Sequence, residues 1–236
     1  METRSEKENL VIFGIGKQAS EVVDFVQRYG LYNIIGFIVD KEYMKLPQYM
    51  GKPVYPLEDV ESYLDVRTVK AFVAISWYNY MNKYKRLKYE LLKKKGFHFV
   101  NLISPLASVN CHSIGEGNLI MDYAYLGYNS EIGDNNTFCA LSLLGHNSRM
   151  ESHNVLAGRA SIAGKTEIGN QNYFGLCSIV FNKLKIGNKC LIGGGSIVKR
   201  DIPDFTVTTA PESHYKQAKE KYIESYLSPK SIEILK

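Results

Sequence analysis

The chain has 236 residues, 45% hydrophobic and 22% charged, with a formal net charge of +5. That length and composition bound the answer to one or two globular domains with a sizeable core. The balance of 29 Lys and Arg against 24 Asp and Glu is too even for a nucleic-acid surface, and no arginine stripe with interleaved aromatics is present.

No segment has the run of about 20 apolar residues that a membrane span needs, so no membrane insertion is expected. Residues 1–9 are charged and do not form a secretion signal. The four cysteines, Cys111, Cys139, Cys177 and Cys190, make no CxxC pair. They read as reduced packing residues of a cytoplasmic protein.

The first hundred residues alternate strand and helix. Residues 9–13 (NLVIF) form a buried strand, followed at once by Gly14-Ile15-Gly16-Lys17-Gln18-Ala19. An amphipathic helix follows, with Ala19, Val22, Val23, Phe25 and Val26 facing inward and Gly30 stopping it. Residues 32–39 (YNIIGFIV) make a second strand ending at Asp40, residues 51–55 a short strand or turn, and residues 57–64 a short helix. Residues 69–75 (VKAFVAI) make a third strand, residues 78–95 a basic helix stopped by Gly96, and residues 97–102 a final strand. This alternation predicts a small, doubly wound, Rossmann-like α/β domain over residues 1–102.

Gly14-x-Gly16-x-x-Ala19 stands where a phosphate-binding turn belongs. Glycines let the backbone approach a diphosphate, and a helix N-terminus offers N–H donors. Gly14, Gly16 and Lys17 are therefore candidates for substrate binding, with Asp40 placed to accept a hydrogen bond from a ribose or base. The same glycines also serve a tight strand–helix turn with no ligand. Lys83, Lys85, Arg86 and Lys88 read as the wet face of a helix.

At Ser104-Pro105 the rhythm changes. From Ile114, steps of six reach Ile120, Leu126, Ile132, Phe138, Leu144, Met150, Leu156, Ile162, Ile168, Phe174, Val180, Ile186, Ile192 and Val198. A period of six is neither helix nor flat strand. It is the signature of a hexapeptide solenoid, three short strands to a triangular coil of eighteen residues. Fifteen repeats make about five coils, stacked at roughly 4.8 Å. The residue after each apolar one is usually small, as in Gly127, Gly133, Gly145 and Ala163. The expected reason is a sharp bend there, at which glycine tolerates positive φ. The solenoid domain is expected over residues 103–210, with a helical tail over residues 211–236.

Of five histidines, His146 follows Leu144-Gly145 and so sits in a turn, and counting by eighteen places Gly164 one coil above it. An imidazole beside a main-chain N–H can take a proton from a nucleophile while the N–H steadies a developing oxyanion. A surface histidine in a turn fits the same spacing. Zinc is not expected, because His146 and His153 fall at different places in their hexapeptides and three convergent ligands are required.

The run GIGKQASEVV, then GFIVD, then FVAI with Tyr80-Met81-Asn82, then ISPLASV and the hexapeptides resembles the bacterial sugar acyltransferases of the sialic acid O-acetyltransferase type. That group includes nucleotide-aminosugar N-acetyltransferases of surface-glycan synthesis. The resemblance covers roughly residues 9–211. It implies a nucleotide-sugar-binding Rossmann-like domain, a left-handed parallel β-helix that forms a homotrimer, and acetyl-coenzyme A bound between coils. The family's base falls on His146, followed by Asn147, and the amide that meets the acetyl carbonyl falls on Gly164, preceded by Ala163. The diphosphate falls on Gly14 and Gly16, and the base or ribose on Asp40, with Asn82 a further substrate-binding candidate. Lys199 and Arg200, near the last coil, are candidates for coenzyme phosphates.

The chain departs from the family where Asn147 replaces the usual Glu or His, where Met150-Glu151 replaces Ile-Gly, and where Val180-Phe181 lacks a small second residue. The closing Gly-Asn-Pro-Ala motif is replaced by Thr209-Ala210-Pro211-Glu212. The expected activity is N-acetylation of a nucleotide-linked aminosugar, with His146 as base. The alternatives are sugar O-acetylation, an inactive nucleotide-binding scaffold, and an NAD site at the glycine turn.

Overall fold

A computed structural model describes residues 7–75, 81–212 and 217. Apart from residues 211, 212 and 217, the expected helical tail lies outside the described residues, as do residues 78–80 of the basic helix. No helix among the described residues is long and apolar enough to cross a membrane.

The first part is an α/β unit. Its elements are β1 (Asn9–Phe13), α1 (Lys17–Tyr29), β2 (Asn33–Val39), β3 (Gln48–Tyr49), β4 (Lys52–Pro56), β5 (Lys70–Val73), α2 (Lys83–Lys94) and β6 (His98–Phe99). The sheet order is β3-β4-β2-β1-β5-β6, parallel except for the β3–β4 pair. β1 lies at its centre and is buried from Leu10 to Phe13, as a continuous apolar run should be. α1 buries Ala19, Val22, Val23, Phe25 and Val26 and ends at Gly30 in the left-handed conformation.

Two expectations change here. The helix over residues 57–64 is only a 3₁₀ turn, Val60–Ser62. The final strand divides: β6 stays in the sheet, while Leu102–Ile103 already belongs to the coil. Asn101 makes the division, since its Oδ1 accepts the Asn118 N–H and its Nδ2 donates to the Gly115 carbonyl.

Of the basic residues expected on a wet face, Lys83 is exposed, but Lys85 and Lys88 turn inward. Lys85 is 3% exposed, and its Nζ donates to Thr137 Oγ1 at 3.0 Å and the Asn135 carbonyl at 3.4 Å. Lys88 pairs with Asp40, and Lys93 with Glu116 at 2.6 Å. Tyr89 and Leu92 are buried on the same side. α2 therefore lies between the sheet and the coil.

The second part is a left-handed parallel β-helix. Two-residue strands run from Leu102–Ile103 to Val207–Thr208 in three parallel sheets of seven, six and five strands. Partners are eighteen residues apart, as in Leu126↔Leu144 and Ile132↔Met150. From Ile120 to Val198 the apolar column is no more than 4% exposed, while Ile114 is half-buried at the open end.

The corner chemistry differs from expectation. Positive φ falls three residues after each apolar one, at Asn129, Asn135, Leu141, Asn147, His153, Arg159, Lys165 and onward every six. The glycines directly after the apolar residues do not have positive φ. They are small because the next coil passes close by: a Cβ at Gly127 would lie 2.5 Å from the His146 nitrogen, and one at Gly145 would collide with the Gly164 nitrogen.

Inside the coil, Asn118, Asn136, Asn154 and Asn172 form a buried ladder. Each Oδ1 accepts the backbone N–H of the residue eighteen further on, ending at Cys190. Buried N–H groups that the strands leave over are satisfied in this way.

The two parts meet through polar contacts. Asn82 Nδ2 donates to the His153 carbonyl at 2.8 Å, and Gln171 Nε2 to the Met81 carbonyl at 3.0 Å. The His153 ring packs edge-on against Tyr89, and Asn135 Nδ2 lies 2.9 Å from its Nδ1. Burial, reinforced by Lys85 and Arg86, pushes the His153 imidazole down to about 4 from an ordinary 6.5, with Asp134 opposing. The unfolded chain then binds the extra proton between those values, so stability falls as pH drops from about 6.5 to about 4. In His153→Gln the loss of Tm between about pH 7 and pH 4.5 should shrink by several degrees. Equal losses in the two proteins, measured by calorimetry, would remove His153 as the source.

Candidate active site

The first locus is the corner after Leu143–Leu144. Leu144 enters the buried column, Gly145 lets the next coil pass, and His146 projects outward, exposed. The corner is pinned on both sides. The Asn147 N–H donates to the Tyr128 carbonyl at 2.8 Å, and the His146 carbonyl accepts the Lys165 N–H at 2.8 Å. The imidazole stands against Gly164, where a Cβ would lie 2.7 Å from Nε2 and 2.8 Å from Cδ2. The Gly164 N–H has no acceptor among the described residues. Its neighbour Ala163 is tied into the coil, donating to Val180 and accepting from Thr166 Oγ1. His146 and Gly164, eighteen apart in sequence, are thus in contact.

On its other side the imidazole is held by amides. Asn147 Nδ2 donates to His146 Nδ1 at 2.7 Å, and Asn129 Nδ2 donates to Asn147 Oδ1 at 2.9 Å. Asn129 belongs to no motif of the sequence, but it lies eighteen residues before Asn147 and so directly beneath it. Asn129 and Asn147 also line an open cleft of about 980 Å³, with Arg149, Lys165 and Lys185 as its cations. Lys199 and Arg200 are exposed on the last coil and are not in that lining. Lys199 instead lies over the Phe181 ring, 5.6 Å from its centre.

The second locus lies outside the carboxyl ends of β1, β2 and β5, the crevice where open α/β sheets bind ligands. A cleft of about 580 Å³ there is lined by Phe13, Gly14, Asp40, Glu42, Tyr43 and Lys88, among others. The two glycines of the turn differ. Gly14 has φ 114°, and a Cβ on it would lie 2.8 Å from the Ala74 carbonyl oxygen, so the fold itself requires glycine. Gly16 is the N-cap of α1 at φ −91°, with nothing within 4 Å of where its Cβ would stand. No internal reason keeps a side chain off Gly16. Lys17 is exposed beside it at the first position of α1. Asn82 does not join this group: it is 2% exposed and is spent on the His153 carbonyl, a contact that joins the two parts of the chain.

If this turn cradles a diphosphate, Gly16→Val should fold as the native chain does and weaken binding of a nucleotide sugar by roughly tenfold or more, by closing the backbone to the phosphates. Unchanged affinity by calorimetry would return Gly16 to a simple turn residue.

No protein-family profile matches the chain, and no curated protein matches it in sequence. Solved structures do. Perosamine N-acetyltransferase from Caulobacter crescentus, in complex with CoA and GDP-perosamine, superposes with a TM-score of 0.72 at 24% identity, over 84% of this chain and 92% of that one. The acetyltransferase domain of PglB from Neisseria gonorrhoeae FA1090, with acetyl coenzyme A, gives 0.71 at 22% identity over 84% and 93%. WeeI from Acinetobacter baumannii AYE gives 0.71 at 22% over 85% and 95%. At this identity the likeness establishes the fold: the chain shares with sugar N-acetyltransferases an α/β unit followed by a left-handed parallel β-helix.

Proposed function

We propose that the protein transfers the acetyl group of acetyl-coenzyme A to the amine of a nucleotide-linked aminosugar. The observation that carries this reading is the contact between the His146 imidazole and Gly164, whose N–H is unengaged. It is supported by a fold shared with enzymes solved with CoA and GDP-perosamine or with acetyl coenzyme A. In this reading the α/β unit holds the nucleotide and the coil performs the chemistry.

The neutral amine attacks the thioester carbonyl, forming a C–N bond. The Gly164 N–H stabilises the tetrahedral oxyanion. His146 takes the proton that the nitrogen sheds. Collapse breaks the C–S bond, and the imidazolium returns that proton to the departing thiolate, leaving free coenzyme A. No acyl-enzyme is needed.

The tautomer matters. With Asn147 Nδ2 donating to Nδ1, the neutral ring carries its proton on Nε2, the atom that faces Gly164. A base at Nε2 needs the reverse. A concerted half-turn of the Asn129 and Asn147 amides preserves both hydrogen bonds and makes Asn147 Oδ1 accept from Nδ1–H. Asn147 then orients the ring as a carboxylate would, without the charge that would steady the imidazolium. A hydroxyl acceptor, as in O-acetylation of the sialic acid type, would meet the same two groups. The amine is preferred because it reaches the thioester already neutral in part and needs a weaker base.

Thiol release from acetyl-coenzyme A, measured across UDP-, dTDP- and GDP-linked aminosugars, should single out one sugar. With it, His146→Ala should lower kcat by roughly 10²–10⁴-fold with little change in KM. Asn147→Asp should retain activity and move the acid limb of the rate profile to higher pH, since a carboxylate raises the imidazole's pKa. A His146→Ala variant within about threefold of native would remove His146 as the base. We further propose a homotrimer of about 80 kDa, three times the 26.7 kDa chain, whose flat coil faces meet about a threefold axis. Sedimentation equilibrium showing a monomer at micromolar concentration would refute that assembly.

A further inference from the structure

We infer that Lys88 supplies the positive charge with which the α/β cleft accepts a nucleoside diphosphate, and that the Asp40–Lys88 pair is the resting form of that site. The inference rests on the proposed function and names one of its binding residues, which the sequence had left on a solvated helix face.

The charge inventory carries the argument. Among the described residues lining the cleft, Asp40 and Glu42 are acidic and Lys88 is the sole basic one. Without Lys88 the lining would present two carboxylates to an anionic ligand and repel it. With Lys88, Asp40 is neutralised at the point where the cleft meets the glycine turn. The ammonium lies 5.7 Å from the centre of the Phe13 ring, and Phe13 directly precedes Gly14. The two side chains are 22% and 17% exposed, sheltered enough to escape most screening yet open to a ligand.

The position of Lys88 is also fixed from behind. One turn earlier Lys85 is anchored to Thr137 Oγ1 and the Asn135 carbonyl, and Tyr89 and Leu92 are buried beside it. α2 cannot roll to take Lys88 away without uncovering them. Fold stability gives little reason to place this pair here, since an ion pair removed from water returns less than it costs unless a further partner is added. An ammonium has three donors. One can remain on Asp40 while the others meet phosphate oxygens, and the free Asp40 oxygen accepts from ribose or base.

Calorimetric titration of the full chain with UDP, dTDP and GDP tests this. The native chain should bind one of them, more weakly as salt rises. Lys88→Met should weaken that binding by about tenfold or more, and Lys88→Arg should restore most of it. Asp40→Asn separates the roles: Lys88→Met introduced into Asp40→Asn should cost a similar further factor, because the lysine acts on the ligand directly. If the double variant binds as Asp40→Asn alone, or if Lys88→Met binds as the native chain does, Lys88 is no phosphate ligand and the inference is overturned. If the native chain binds none of the three, the nucleotide-sugar reading falls, and this inference with it. Thermal melts of each variant distinguish lost binding from lost folding.

Discussion

One hydrogen bond, repeated around the solenoid, sets everything above it. At each corner from Asn135 to Gly195 a residue in the left-handed conformation donates its N–H to the carbonyl nineteen positions earlier, as in Leu141 to Asp122, Asn147 to Tyr128, Lys165 to His146 and Lys183 to Gly164. A side chain in that conformation costs roughly 1–2 kcal/mol. Leu141, His153, Arg159, Lys165, Gln171, Cys177 and Lys183 all bear it. The coil recovers this through the corner bonds, the strand ladders and a fully buried apolar column. For the site the consequence is direct. The His146 carbonyl and the Asn147 N–H both belong to the corner lattice, so the imidazole turns only about its own side-chain bonds. Asn129 and Asn147 stack for the same reason, and their amides meet because both sit at left-handed corners one coil apart.

The second organising element is α2, which faces three ways. Lys85 reaches into the coil, Lys88 into the α/β cleft, and Lys93 toward Glu116 and Asp134. Burial lowers the Lys85 ammonium to about 7, with Cys139 acting weakly the other way. Such a group survives in an interface only because Thr137 and Asn135 accept from it. The helix thereby fixes how the sheet meets the coil, and it does so within one turn of Lys88 in the α/β cleft.

Much of this was legible in the residues. The six-residue clock predicted the solenoid, its register and the stacking of Gly164 on His146. The glycine turn and Asp40 marked the α/β cleft. The failures have physical causes. Smallness after each apolar residue was assigned to backbone torsion, whereas close passage of the next coil requires it. Lys85 and Lys88 were read from their charge, while their spacing with Tyr89 and Leu92, at i, i+3, i+4 and i+7, already put all four on one helix face. Asn82 is a substrate-binding candidate through the family resemblance; the contact it makes within the chain is with the His153 carbonyl. Asn129 was reachable by subtracting eighteen from Asn147, a step that periodic folds make available to every surface residue.

Gly164 and Gly16, at the two candidate loci, are glycines that the lattice does not demand. At the corner place of Gly164 the neighbouring coils carry Tyr128, His146 and Asn182, so the solenoid admits side chains there. Gly164 lacks positive φ, and torsion is not the reason for it either. What fills its side-chain space is the His146 ring, whose Nε2 would be 2.7 Å from a Cβ. Gly16 has the opposite character: no atom of the described chain approaches its missing side chain, and its backbone conformation suits any residue. One glycine leaves room for the His146 ring, and the other stands open at the N-terminus of α1. The two fall one in each part of the chain, at the loci where the proposed function needs a reacting group and a bound diphosphate.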